Sequence, residues 1–173
     1  MVASAARMSK RLVSLLAGAF ALVSIVSASA APPRHAEFLP AKSLAGVRLG
    51  MTRQDVLAAW GKRHGVCRDC PHETWYFNYR PFTPEGAGVV FERGRVVHVF
   101  TVWRPAGWRT PEGLVLGARA SEVSRIYGAL DRRQCTFYYA LLKPGKRTQS
   151  VYYVFRDHLW GFGLTRPNAS PCL

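Results

Sequence analysis

The densest group of reactive side chains in the sequence is His64, Cys67, Cys70 and His72, four nitrogen and sulfur donors within nine residues. Such donors could hold a tetrahedral zinc ion, and a small metal-binding or enzymatic centre on this loop is the alternative functional reading. A loop this short closes awkwardly around a metal, and the chain carries an even set of cysteines, Cys67, Cys70, Cys135 and Cys172. In an exported protein such a set is expected to be oxidised. Of the three possible pairings, Cys67–Cys70 with Cys135–Cys172 is favoured, the second pinning the C-terminal tail to the body. A Cys-x-x-Cys redox centre is expected beside a βαβ pattern. Here the motif follows a helical segment and precedes an antiparallel strand, so thiol exchange is disfavoured. No metal and no cofactor are expected.

Hydrolytic chemistry has little to work with. No Gly-x-Ser-x-Gly elbow occurs, and only ten carboxylate side chains are present. His98 falls in a strand and His158 in a turn, each without an obvious catalytic partner. A non-enzymatic protein is the expectation. The aromatic and basic residues suggest more. Strand alternation sets Tyr76 and Arg80 opposite Trp75, Phe77 and Tyr79, and sets Tyr152 and Arg156 opposite Tyr153 and Phe155. With Trp75, Phe77, Tyr153 and Phe155 packed under helices, Tyr76, Arg80, His98, Tyr138, Tyr152 and Arg156 would line a helix-free sheet face. Tyr and Arg are residue types that dominate interface hot spots. Single-stranded nucleic acid could use the same chemistry. The aromatic, glycine-rich RNA motif is missing, however, and export argues against it.

Export is read from the N-terminus. Arg7, Lys10 and Arg11 precede an apolar run from Leu12 to Val26 and the small-residue site Ala28-Ser29-Ala30. The run is too short for a membrane span, so residues 1–30 are expected to be a signal peptide, leaving a secreted or envelope protein with no span. Their removal takes away three of 24 basic residues and none of the ten acidic ones, leaving a formal charge of +11. Such a charge favours anionic partners, here an unknown protein or an anionic envelope component.

The elements that must position these residues repeat. Residues 46–61 and 113–128 align without a gap, with identities at Gly46/Gly113, Leu49/Leu116, Gly50/Gly117, Val56/Val123 and Gly61/Gly128. Thr52 and Asp55 form a capping-box pattern, Val56, Leu57 and Trp60 give one helix face, and Gly61 stops the helix. The second helix keeps Glu122, Val123, Ile126, Tyr127 and Gly128, but its cap position holds Arg119 and it should start less firmly. Each helix leads into three β-rich runs: 73–80, 88–92 and 95–103, then 136–143, 150–156 and 159–165. Arg93-Gly94 and Asp157-His158 are the expected two-residue hairpin turns. The organisation predicted is a linker over 31–45, a first repeat over 46–103, a link over 104–112 and a second repeat with tail over 113–173. The fold class expected is α+β, with tandem helix-plus-three-strand units forming one antiparallel sheet of about six strands and the helices on one face.

The segment Gly50-Met51-Thr52-Arg53-Gln54-Asp55-Val56-Leu57, closed by Gly61, resembles the signature of the β-lactamase inhibitor proteins and of the small outer-membrane assembly lipoproteins of the SmpA/OmlA type. A cysteine soon after each helix (Cys67, Cys135) is more like the inhibitors. That resemblance implies an inhibitor-like module in which two loops grip a target. The first, Pro81 to Ala87, would offer Phe82 and Glu85. The second, Pro144 to Gln149, is basic and lacks the aromatic residue of the inhibitors.

Overall fold

A computed structural model describes residues 31–78, 85–167 and 169–173. Helix α1 (Arg53–Trp60) forms where the sequence supplies its own start: the Thr52 hydroxyl accepts from the Asp55 amide, and the Asp55 carboxylate accepts from the Thr52 amide. Val56 and Trp60 face inward and are fully buried. Helix α2 (Ala120–Tyr127) starts at Arg119 without a side-chain cap.

The strands are β1 (His35–Leu39), β2 (Ser43–Leu44), β3 (Gly65–Val66), β4 (Glu73–Asn78), β5 (Gly86–Glu92) and β6 (Arg95–Val102), followed by β7 (Gly107–Arg109), β8 (Asp131–Gln134), β9 (Tyr139–Lys143), β10 (Gln149–Phe155) and β11 (His158–Thr165). Eight of them form one antiparallel sheet in the order β3-β4-β5-β6-β11-β10-β9-β8, with β6 and β11 at its centre. The remaining three form a separate sheet, β2-β1-β7, in which β1 and β7 run parallel.

These elements overturn the α+β expectation of helix-plus-three-strand units and about six strands. Among the described residues the chain is mostly β, with eleven strands and two helices of eight residues each. The additional strands lie where the sequence gives little β signal. Segments read as linker and link pair with each other, His35↔Gly107 through Glu37↔Arg109, a long-range pairing that no local pattern announces. Strand β8 reads Asp-Arg-Arg-Gln and is exposed along its length, the charged composition of a protected sheet edge.

Two apolar clusters lie on opposite faces of the large sheet. On one face the helices and the small sheet bury Phe38, Leu44, Val56, Trp60, Trp75, Phe77, Trp108, Tyr152 and Phe162. Trp60 and Trp108 pack at 5.7 Å, and their indole N–H groups donate to the carbonyls of Ala45 and Pro33. Each such side chain withdrawn from water contributes roughly 1.5–3 kcal/mol. The opposite, helix-free face carries Phe100, Val102, Tyr138, Leu142, Tyr153 and Trp160.

Tight turns join the hairpins. Arg93 and Gly94 (φ 49° and 74°) link β5 to β6. The link between β10 and β11 uses Arg156 and Asp157 (φ 48° and 64°), one residue earlier than expected. Both pairs take the positive φ that matches strand twist.

Candidate functional site

The helix-free face is where the sequence placed its binding residues, and the fold distributes them unevenly. On β4 the alternation sends Trp75 and Phe77 to the helix-covered core and leaves Tyr76 half-buried on the opposite side. On β10 the assignment is reversed. Tyr152 and Val154 join the helix-covered core, while Val151, Tyr153 and Phe155 belong to the other face. Tyr152 is wholly buried, its ring 4.9 Å from Tyr127 and 5.6 Å from Phe38, so it is a core residue with no access to a partner. Arg80 and Phe82 lie outside the described residues. Glu85 accepts a 2.7 Å hydrogen bond from the Arg104 guanidinium.

His98 and Tyr153 are buried together and share a 2.7 Å hydrogen bond, its direction set by the imidazole tautomer. Strand β11 lies between their strands, and two glycines on it make the meeting possible. A Cβ at Gly163 would come within 2.8 Å of the Tyr153 hydroxyl, and one at Gly161 within 2.0 Å of the Thr101 carbonyl oxygen. Burial pushes the His98 imidazole down to about 4 and the Tyr153 phenol well above its ordinary value. Both groups are therefore neutral near pH 7, and His98 supplies no positive charge to this face.

The C-terminal tail crosses this face. The Cys135–Cys172 disulfide fixes it, and the Leu173 amide donates to the Tyr138 hydroxyl at 2.5 Å. Tyr138, expected on an open surface, is consequently 4% exposed. Between this tail and the loop closed by the Cys67–Cys70 disulfide lies a cleft of about 510 Å³. Its floor includes Tyr76, Val90, His98 and Phe100, and its two walls include Cys70 and Cys172. Each disulfide thus braces one side of the same opening.

At the other end of the face, sequence reasoning missed a second feature. Residues 135–138 form the turn between β8 and β9 rather than the start of a strand. This turn holds Phe137 63% exposed, with its ring 5.2 Å from Tyr138, 5.7 Å from Trp160 and 6.0 Å from Phe155. Exposed Arg156 lies over Phe155 at 5.1 Å. The Trp160 indole N–H is buried without an acceptor among the described residues, as the Tyr152 hydroxyl is without a partner on the helix-covered face. A large apolar residue inside a Cys-Thr-Phe-Tyr turn was the available signal.

The His64–His72 loop does not assemble as a ligand set. Both of its cysteines are consumed in one disulfide, and His64 stacks on Trp75 at 4.0 Å. Among the described residues no group of three or more His, Cys, Asp or Glu side chains is placed to hold a metal ion. All four cysteines form disulfides, the state of a chain in an oxidising compartment. Among the described residues no helix is long and apolar enough to cross a membrane.

No protein-family description and no curated protein matches the sequence. Two solved structures share part of the backbone. One is an extracellular protein containing a SCP domain from Bacillus anthracis str. Ames, with a TM-score of 0.49 and 14% identity over 69% of this chain and 44% of that one. The other is a DUF4309 family protein (YjgB) from Bacillus subtilis subsp. subtilis str. 168, with a TM-score of 0.47 and 14% identity over 66% of this chain and 78% of that one. The chain spans less than half the length of the first. Overlap at this level says nothing of activity.

Proposed function

We propose that this chain is an exported, non-enzymatic binding module that holds an acidic protein against its helix-free face, at the aromatic cluster around Phe137. The observation that carries the reading is an exposed phenylalanine seated on three further aromatic rings, with an arginine beside it. Aromatic residues and arginine supply most interface hot spots because they bury large area while keeping a polar handle. Arg133, opposite Ala140 on the neighbouring strand, extends the positive charge on that side of the sheet. Without residues 1–30 the excess of 21 basic over ten acidic residues favours an acidic partner and speeds its approach. Export is supported by the order of basic, apolar and small residues at the N-terminus and by the two disulfides. An inhibitor-like role, in which the partner is an enzyme, is the narrower form of this reading and rests on the resemblance of the α1 segment alone. The alternative, a metal-binding or enzymatic centre on the His64–His72 loop, is the less favoured reading because Cys67 and Cys70 are joined to each other and offer no thiolate ligand.

The test uses the immobilised protein with extract from the envelope of the cells that make it. An acidic protein should be retained at low salt, released at high salt, and cross-linked by a photoreactive phenylalanine at position 137. Phe137→Ala and Arg156→Glu should each weaken retention by about tenfold or more without changing the melting temperature. Retention of the same protein by wild type and both variants alike would overturn the assignment.

A further inference from the structure

The cleft between the two disulfide-braced walls is separate from the Phe137 cluster and has its own chemistry. Tyr76, Val90, Val97 and Phe100 give it a mainly apolar lining, the cation that also lines it, Arg166, is already paired with Glu92, and its volume of about 510 Å³ falls within the range of roughly 300–1,000 Å³ usual for small-molecule sites. A second recess of about 410 Å³ adjoins it at Tyr76 and is lined by Lys62, Arg63, His64 and Gly65. The apolar cleft is a poor site for a hydrated anion. The basic recess, open to water, offers nothing to an alkane. One molecule satisfies both only if it carries an apolar chain and a negative head.

From this juxtaposition, an apolar cleft and a basic recess sharing Tyr76, we infer that the protein binds a single-chain anionic amphiphile, with the chain in the cleft and the head at Lys62 and Arg63. Charge selects the head, and the cleft walls set the chain. This goes beyond the protein-binding role and does not depend on it.

Dodecanoate, below its micelle concentration, is the probe, titrated calorimetrically into the oxidised protein. Dodecyl trimethylammonium and dodecyl maltoside serve as cationic and neutral chains of equal length. Dodecanoate should bind saturably, one molecule per chain, about tenfold or more tighter than either control. Lys62→Gln/Arg63→Gln should bring its affinity down to that of the neutral chain. Ala169 is exposed on the tail and lines the cleft, so Ala169→Trp should fill the opening without touching the core and remove binding of every chain. Phe137→Ala should leave the titration unchanged. Equal binding of the anionic and cationic chains, no saturable dodecanoate binding, or binding indifferent to Ala169→Trp would each overturn the inference. None of those outcomes bears on retention of an acidic protein at Phe137.

Discussion

The large sheet has two apolar faces, and the chain treats them differently. Helices α1 and α2 and the small β2-β1-β7 sheet seal one face, so that Phe38, Val56, Trp60, Trp108 and Tyr152 have no exposure at all. Among the described residues the other receives a tail and a loop, each held by a disulfide. That partial cover buries Tyr138 and His98, leaves a cleft, and leaves Phe137 in water. Strand alternation alone would make the two faces equal partners in the core. What separates them is how much chain remains to cover each, and the uncovered remainder is where binding energy is still available.

The largest effect that tests this contrast is on the sealed face. Tyr152→Ala removes a ring packed between Tyr127 and Phe38 and should cost about 3–5 kcal/mol, as aromatic-to-alanine changes in cores do. Tyr76→Ala, half-buried on the partly covered face, should cost about 1 kcal/mol. Urea denaturation of the two variants gives the comparison. Similar losses would show that Tyr152 is not the core residue described.

The misplacement of Tyr152 also shows how far residues reveal sites. The capping box at Thr52 and Asp55, the Arg93-Gly94 turn and the β-rich runs all depend on neighbours within a few positions, and each is visible in the sequence. The face on which a strand side chain falls is visible only when one side is polar. Strand β10 reads Gln-Ser-Val-Tyr-Tyr-Val-Phe and is buried on both sides, so alternation divides its residues without saying which set faces the helices. Strand β1 is hidden for another reason. Its partner β7 lies about seventy residues away in a proline-containing segment, and pairing at that distance leaves no periodic trace. The cleft was out of reach for the same reason, because its walls come from residues 70–72 and from the tail. Phe137 was hidden by a misassigned boundary: read as part of a strand, it looked like one more alternating aromatic.

A middle-sized effect tests the buried pair on the partly covered face. The His98 imidazole is pushed from 6.5 down to about 4 by burial. Between those values the unfolded chain binds a proton that the folded chain refuses, so stability is full above pH 6.5 and falls as pH drops toward 4. The loss from this group is on the order of 3 kcal/mol. His98→Gln keeps a polar partner for Tyr153 and removes the titration. Urea midpoints at pH 7 and pH 4.5 should therefore converge less between conditions for wild type than for the variant, since carboxylate effects are common to both. An equal drop in the two proteins would place His98 in water and remove the picture of a buried His98–Tyr153 pair.

The smallest effect is the most discriminating. Phe38 and Phe137 are the same residue type on opposite faces, one fully buried and the other 63% exposed. Truncating Phe38 should cost several kcal/mol, like Tyr152. Truncating Phe137 should change stability by no more than about 0.5 kcal/mol, as exposed surface changes do. The ring at 137 gives the isolated fold little, since most of its own surface stays in water. A melting temperature that falls clearly on Phe137→Ala would mean the ring shields those neighbours as part of the core. A melting temperature that holds, together with the lost retention predicted above, would make Phe137 a residue kept for its partner.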